Sequence, residues 1–304
     1  MVIISAVICT YNRCDRLSYA LQALTKQSLP GDRFEVIVID NASTDQTKEL
    51  CDRYVGQFTN FVYVYEPILG LWQARNRGMQ VATGEYIAYL DDDAIPCKGW
   101  LEAILDCFQT VQPQPVGIGG PIAGLWEIPR PSWLSERIAH YYTVCNYGEQ
   151  SDWFAPNCYP YGANMAYLKR VIAEVSGFRE ELGRKGNNLL SGEEVLLNHT
   201  LKKAGGKFYY CANAGVEHWV SEKRLNREWL LQRGYWQGVS DAITDETLGK
   251  TLGARLFFNL VKFAYVVALF FPSESWRVLA RTELNRGWGY FKSVYAVSKS
   301  IIDQ

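Results

Sequence analysis

The chain has 304 residues, of which 48% are hydrophobic and 21% are charged. These values are those of an ordinary globular protein, so they exclude a chain that is disordered, collagenous or coiled-coil as a whole. Lysine and arginine number 31 against 32 aspartates and glutamates, and this balance argues against nucleic-acid binding. Aromatic residues reach 14%, which suits sugar-binding clefts and membrane interfaces.

Eight cysteines are scattered along the chain, without a Cys-x-x-Cys pair or the spacing of a zinc site. A chain of this length does not need disulfides to fold, so we expect reduced thiols and a cytoplasmic protein. The apolar first ten residues lack a basic region and lead directly into Tyr11, Asn12 and Arg13. We therefore predict that they form a buried strand and not a signal peptide.

The first hundred residues alternate strand signals with helix signals. Apolar runs predict strands over residues 2–9, 34–40, 61–65 and 85–90. Helical spacing predicts helices over residues 15–29, 43–55, 70–81 and 100–111, the second of them opened by a capping box from Ser43 to Gln46. Because strands that are apolar throughout alternate with helices, the sequence predicts an α/β fold, with a doubly wound, mostly parallel sheet covered on both faces.

After about residue 113 the chain is rich in Gly, Pro, Trp and Tyr, a composition typical of loops and short strands around a cleft. Periodicity then predicts helices over 169–176 and 193–204, a strand over 207–211, and further helices beyond 221. We therefore divide the chain into one domain with two halves, residues 1–112 and 113–220, and a helical C-terminal extension, residues 221–304.

Three consecutive aspartates, Asp91, Asp92 and Asp93, follow the predicted strand at 85–90. Since side chains alternate along a strand, Asp91 and Asp93 should point to the same side, where two carboxylates form a hard oxygen site for Mg²⁺ or Mn²⁺. Such an ion could bridge a diphosphate and neutralise the charge of a leaving nucleotide. The alternative is a solvated acidic turn that caps a helix.

Ligands of parallel sheets bind at the carboxyl ends of the strands, and this rule places residues 10–13, 40–45 and 91–93 in one site. Asp40 could accept a hydrogen bond from a base beside a helix N-terminus, or its segment could serve helix capping alone. Arg75 lies near a predicted helix start and suits phosphate binding, with a solvated surface arginine as the alternative.

Two candidates lie late in the chain. Glu193 and Glu194 open a predicted helix and could supply a general base that removes a proton from an acceptor hydroxyl, or could only cap that helix. His218 follows a predicted strand and could be a neutral nitrogen ligand that completes a metal site with Asp93. A structural or exposed histidine is the alternative reading of that residue.

Five short motifs occur in order over roughly residues 1–220: Cys-Thr-Tyr-Asn-Arg (9–13), Asp-Asn-Ala-Ser-Thr-Asp (40–45), Gly-Leu-x-x-Ala-Arg-Asn-x-Gly (70–78), Asp-Asp-Asp (91–93) and Gly-Glu-Glu (192–194). Together they resemble the family 2 glycosyltransferases of the GT-A fold, and the ordered set is far more specific than any one motif. The resemblance implies a nucleotide-sugar donor, expected to be UDP-linked, and Mn²⁺ or Mg²⁺. It also implies inverting transfer to a hydroxyl of a glycan or lipid-linked acceptor.

The resemblance also implies roles for individual residues. Those expected to bind the donor are Thr10, Tyr11, Arg13, Asp40, Arg75, Asp91 and Asp92, and those expected to bind the metal are Asp93, Asp91 and His218. The usual late motif is Glu-Asp with the aspartate as base, whereas this chain has Glu193-Glu194. Glu194 is therefore the expected base, and Glu193 is its competitor.

The sequence leaves two rival functions open. A sugar nucleotidyltransferase should carry a Gly-rich basic loop after the first strand, whereas the loop here is Thr-Tyr-Asn-Arg-Cys. A non-catalytic carbohydrate-binding or scaffold protein with the same fold would bind sugars without turnover. The segment from Gln232 to Trp236 resembles the QxxRW motif of processive synthases only loosely, since its arginine is displaced by two positions, so we favour addition of a single sugar.

Residues 252–271 are mostly apolar but include Arg255 and Lys262. One interpretation is an interfacial amphipathic segment that brings a peripheral enzyme to a lipid-linked acceptor at the inner face of a membrane. The other is a pair of helices packed in the core or across a homo-oligomer. Charge in the middle of the segment argues against a membrane span.

Overall fold

The computed structural model describes residues 1–180, 182–183, 189–250 and 265–302. The strands are β1 (Ile4–Thr10), β2 (Phe34–Asp40), β3 (Phe61–Tyr65), β4 (Tyr86–Asp91), β5 (Ala94–Pro96), β6 (Gly117–Gly119), β7 (Ile122–Trp126), β8 (Asp152–Trp153), β9 (Asn164–Leu168), β10 (Phe208–Tyr210) and β11 (Val216–Val220). The helices are α1 (Cys14–Leu24), α2 (Thr47–Tyr54), α3 (Leu71–Val81), α4 (Trp100–Thr110), α5 (Glu136–Ala139), α6 (Lys169–Glu174), α7 (Glu193–Lys203), α8 (Arg227–Thr247), α9 (Tyr265–Ala268) and α10 (Glu274–Ile302).

The chain divides into two compact units. The first consists of Met1–Leu125, Thr143–Glu180 and Leu197–Trp219. The second consists of Trp126–Tyr142, Glu181–Leu196 and Val220–Gln304.

The first unit contains a sheet whose described strands run in the order β3-β2-β1-β4-β9-β6-β10-β8. Strands β1 to β4 are parallel, with Thr10 opposite Asp40 and Cys9 opposite Asp91, whereas β9 runs antiparallel to β4 and β6. The predicted α/β class with a mostly parallel sheet is confirmed. Because β1, β2 and β4 end at the same edge, the loops that follow them emerge side by side.

Burial on both faces explains why these strands are apolar throughout. Along β2 every residue is buried, and the side chains alternate between two hydrophobic clusters. Val36 and Val38 pack with α1 and α4, whereas Ile37 and Ile39 pack with α3. A strand between two helical layers has no solvent-facing side, so its sequence shows a continuous apolar run instead of alternation.

Helix α1 ends at Leu24, five residues before the predicted end at residue 29. Beyond it, the Gln27 side chain donates to the carbonyl oxygen of Cys97 and accepts from the backbone N–H of Leu101. The apolar spacing that suggested a longer helix is overridden by these hydrogen bonds to the segment before α4.

The short strand β5 follows the three aspartates and pairs antiparallel with β11, with Ala94 opposite His218. The backbone N–H of Trp219 donates to the carbonyl oxygen of Asp93 at 2.8 Å. This pairing brings a histidine from late in the sequence next to the carboxylates that end β4.

The second unit contains two long helices, α8 and α10, whose backbones approach closely at glycines. A Cβ atom added to Gly238 would lie 1.8 Å from the carbonyl oxygen of Arg286, and one added to Gly289 would lie 2.1 Å from that of Tyr235. The predicted C-terminal helices are present. Their close contact requires glycine at positions 238 and 289, because any side chain there would clash with the backbone of the other helix.

Among the helices described, none has both the length and the apolar composition that a membrane span requires. Residues 252–264 of the predicted interfacial segment lie outside the described residues. In its described remainder, Val267 is 64% exposed and Phe270 is 84% exposed.

Candidate active site

The loops after β1 and β2 are joined by hydrogen bonds. The backbone N–H of Asn12 donates to Ser43 Oγ at 2.9 Å, and that of Cys14 donates to Asp45 Oδ2 at 3.0 Å. The predicted capping box is therefore wrong: α2 begins only at Thr47, and Ser43 bonds the neighbouring loop instead of the helix. The Asp45 carboxylate accepts from the backbone N–H of Cys14, the first residue of α1, and so stabilises a helix that is distant in sequence.

Two asparagines that were not predicted as functional residues fix the same edge of the sheet. The Asn41 amide donates to the carbonyl oxygen of Ile68 at 2.6 Å and accepts from the N–H of Gly70 at 2.8 Å. The Asn12 side chain accepts from the backbone N–H of Thr44 at 2.7 Å. Short amide side chains directly after strands readily bond nearby backbone groups, and this position is the signal that could have identified them.

The residues predicted to hold the nucleoside lie along this edge. Asp40 is buried, accepting from the Ser43 N–H at 2.9 Å and from the Tyr63 hydroxyl at 2.7 Å. Since each carboxylate oxygen has two acceptor sites, both can still accept from a ligand. Thr10 is buried, whereas Tyr11 is half exposed to solvent.

Asp91, Asp93 and His218 each offer a ligand atom, and these atoms lie within 4.8 Å of one another. His218 Nε2 is 3.2 Å from Asp93 Oδ1, and the two side chains are 5% and 9% exposed. Two carboxylate oxygens and an imidazole nitrogen are a donor set that suits a divalent metal ion. The residues present therefore fit a divalent cation at the position predicted from sequence.

Asp92 is not one of these three residues, and its carboxylate bonds the loop after β1. Thr10 Oγ1 donates to Asp92 Oδ2 at 2.8 Å, and Arg13 Nη1 donates to Asp92 Oδ1 at 3.1 Å and to Asp93 Oδ2 at 2.8 Å. Burial raises the pKa of Asp92, although the charge of Arg13 opposes the shift. The same carboxylates raise the pKa of Arg13 above its usual value.

Arg75 is a buried cation and not a surface arginine. It is 3% exposed, and its Nη2 lies 3.5 Å from Asp91 Oδ1. Its guanidinium lies 5.4 Å from the centre of the Phe178 ring. A Cβ on Gly162 would lie only 2.6 Å from Arg75 Nη2, so the guanidinium occupies space that a side chain at position 162 would fill.

Trp219 is a further residue that sequence reasoning missed. Because neighbouring side chains of β11 point to opposite faces, His218 faces Asp93 while Trp219 packs on α1. The Arg16 guanidinium lies 3.8 Å from the centre of the Trp219 ring, and the Tyr19 ring centre lies 6.0 Å from it. This packing anchors the strand that carries the histidine.

Glu193 and Glu194 form the start of α7 and belong to the second unit. Gly192 before them has φ 111°, a value that side chains rarely allow, and its carbonyl oxygen accepts from the N–H of Leu196 at 3.0 Å. Glu193 is 2% exposed, whereas Glu194 is half-buried. Both carboxylates are favoured by the helix dipole at this end.

Comparisons with known proteins agree on one family. The model of the family described as Glycosyl transferase family 2 matches residues 5–176. A glucosyl-dolichyl phosphate glucuronosyltransferase from Haloferax volcanii is 24% identical over 248 residues, which cover 80% of this chain and 77% of the relative.

Two solved structures resemble nearly the whole chain. The mannosyltransferase PcManGT from Pyrobaculum calidifontis, in complex with GDP-Man and Mn²⁺, has a TM-score of 0.61 at 18% identity, covering 99% of this chain and 75% of that one. S. aureus TarS 1-349, in complex with UDP, has a TM-score of 0.55 at 17% identity, covering 97% of this chain and 92% of that one. These similarities show the GT-A fold. Since the family model covers more than half of the sequence, the chain belongs to glycosyl transferase family 2 and is a glycosyltransferase.

Proposed function

We propose that the protein is an inverting, metal-dependent glycosyltransferase that moves one sugar from a UDP-linked donor to a hydroxyl of a glycan or lipid-linked acceptor. The observation that carries the proposal is the cluster of Asp91, Asp93 and His218 at the edge where β1, β2 and β4 end. The Haloferax relative, whose name specifies a lipid-linked substrate, and the neighbours bound to GDP-Man or UDP support the substrate classes.

The donor would lie across this edge of the sheet. Asp40 would accept a hydrogen bond from the base, and Thr10 and Tyr11 would contact the nucleoside. Asp91, Asp93 and His218 would hold Mn²⁺, which when bound neutralises charge on the diphosphate. Arg75 would hold Asp91 in place and add positive charge near the phosphates.

Charge in the first unit supports a cation-dependent donor site. The three carboxylates of residues 91–93 face two guanidinium groups, those of Arg13 and Arg75. Without a divalent ion the formal charge of the group is negative when Asp92 is ionised and zero when Asp92 is protonated, so in neither form does the group attract a diphosphate. With one it becomes positive, so donor binding should require the metal.

Transfer of the sugar to the acceptor hydroxyl needs a general base. Glu194 would take the proton from the acceptor hydroxyl, whose oxygen attacks the anomeric carbon while the bond from that carbon to the diphosphate oxygen breaks. Attack from the face opposite the leaving group inverts the configuration. Glu194 is favoured over Glu193 because a general base must contact the acceptor hydroxyl. Glu193 is only 2% exposed, whereas Glu194 is half-buried.

A screen of nucleotide-sugars by thermal shift, with and without Mn²⁺, tests this function. One donor should stabilise the protein by about 2.7 kcal/mol at a hundredfold excess over Kd, a shift of several degrees, and only with the metal. That donor should then release nucleoside diphosphate when an acceptor is added. Stabilisation by sugars without release would support a carbohydrate-binding protein, and formation of pyrophosphate from a nucleoside triphosphate and a sugar phosphate would support a nucleotidyltransferase. If no nucleotide-sugar binds, the proposal is wrong.

We further propose that the exposed apolar side chains near α9 contact a membrane surface, which would suit a lipid-linked acceptor. Phe270→Asp should lower the fraction of protein that floats with phosphatidylcholine–phosphatidylglycerol vesicles by about tenfold, because it removes an exposed aromatic side chain that would be buried in the membrane interface. Val55→Asp is the matched control, since Val55 is also exposed, at 64%, but lies in the first unit. Equal flotation of both variants and the unmodified protein would contradict this proposal.

A further inference from the structure

Arg233, Trp236 and Ser240 lie on one face of α8, and they include the arginine and tryptophan of the Gln232–Trp236 motif. Arg233 Nη2 donates to Ser191 Oγ at 3.1 Å. Ser240 Oγ accepts from the backbone N–H of Ser191 at 3.1 Å and donates to the carbonyl oxygen of Trp236 at 2.9 Å. Thus α8 binds both the side chain and the backbone N–H of one residue, Ser191.

Ser191 is placed to control the start of α7. It directly precedes Gly192, whose left-handed φ of 111° directs the chain into the helix. The Gly192 carbonyl oxygen accepts from Leu196, closing the first helical turn around Glu193 and Glu194. Because only Gly192 separates Ser191 from this turn, a shift of Ser191 would move both carboxylates.

Apolar residues before and after Ser191 in the sequence also pack against α8. Leu190 precedes it and Leu196 follows it, and these two leucines form a buried cluster with Leu182. Trp236, Val239 and Ile243 of α8 pack against that cluster, as does Leu248, the residue directly after the helix. The hydrogen bonds to Ser191 are thus made inside a packed contact, where their geometry is restrained.

We infer that Arg233 and Ser240 are positioning residues, which set the location of the catalytic carboxylate through Ser191 without touching the substrate. The inference rests on the proposed function of Glu194 as base. A displacement of about 1 Å in a reacting group can cost about a hundredfold in rate. Loss of either hydrogen bond should therefore lower turnover much more than it lowers donor affinity.

The test compares Ser240→Ala, Ser191→Ala and Ser191→Thr in the full chain. With UDP-glucose, UDP-glucuronic acid and GDP-mannose as donors, Mn²⁺, and a short-chain glucosyl polyprenyl phosphate as acceptor, the two alanine variants should lose about 10- to 100-fold in kcat. Their donor KM and their Mn²⁺-dependent thermal shift should stay within twofold. Ser191→Thr keeps the hydroxyl and should retain turnover.

Thr247→Ala is the matched control. Thr247 Oγ1 donates to the carbonyl oxygen of Ile243 at 2.9 Å, the same kind of bond that Ser240 makes within α8, but at the far end of the helix. This variant should keep wild-type kcat.

Hydrogen exchange provides a readout that needs no substrate. Amides at the start of α7 should exchange at least about tenfold faster in Ser240→Ala than in the wild type, with β1 unchanged. Wild-type kcat and exchange in both alanine variants would overturn the inference, as would loss of activity that follows only from a lower Tm. An inactive wild type would instead overturn the proposed function, and exchange would still decide whether Ser191 holds α7.

Discussion

Asp93→Ala should abolish Mn²⁺-dependent donor binding and lower sugar transfer by about a thousandfold or more. Asp93 Oδ1 lies 3.2 Å from His218 Nε2, and Asp93 Oδ2 lies 2.8 Å from Arg13 Nη1. Removing this carboxylate leaves one carboxylate and one imidazole in the cluster, too few ligands to hold the ion in competition with water. Charge stabilisation by a metal at a leaving diphosphate amounts to several kcal/mol, which sets the expected loss.

The measurement combines the thermal shift by the donor, with and without Mn²⁺, and steady-state transfer. Asp106→Ala is the matched control, because Asp106 is an exposed aspartate on α4. That variant should behave as the wild type in both assays. Wild-type turnover by Asp93→Ala would remove the metal from the mechanism, although the family assignment would stand.

Glu194→Gln should leave the donor-induced thermal shift unchanged and lower transfer by about 10²- to 10⁴-fold, the usual contribution of a general base. Glutamine keeps the size of the side chain and its place at the start of α7 but cannot accept the proton from the acceptor hydroxyl. The loss should therefore appear in kcat for transfer and not in donor affinity.

Glu193→Gln is the natural comparison, because it makes the same change one residue earlier, at a side chain that is 2% exposed. It should retain most of the transfer rate. If Glu193→Gln loses transfer while Glu194→Gln keeps it, the base assignment moves by one residue. If both variants transfer sugar at the wild-type rate, neither glutamate is the base.

The parts of the fold that sequence predicts well are those set by local pattern. Strands β2 and β3 have the predicted bounds, because their apolar runs end where the chain leaves the two helical layers. The cluster of Asp91, Asp93 and His218 was also predictable in part. Strand alternation predicted that Asp91 and Asp93 share one side; their carboxylates do lie close together, although β4 ends at Asp91 and Asp93 lies in the turn after it, and the resemblance to a known family adds His218.

The parts that sequence did not predict depend on contacts between distant segments. Ser43 has the spacing of a capping residue, but its hydroxyl accepts from Asn12, 31 residues earlier. A local pattern cannot show which of two competing partners a short polar side chain will choose. The contact of Ser191 with α8 is of the same kind, since Ser240 lies 49 residues later.

The asparagine hydrogen bonds at the sheet edge have a consequence for ligand recognition. Asn12 and Asn41 are bonded to backbone groups of the chain itself, so the loops they hold need no ligand to take their conformation. The conformational entropy of ordering these segments is lost when the protein folds, and little remains to be lost on association. A nucleotide should therefore bind quickly to loops that already have their bound conformation. Any induced fit should occur in other parts of the molecule.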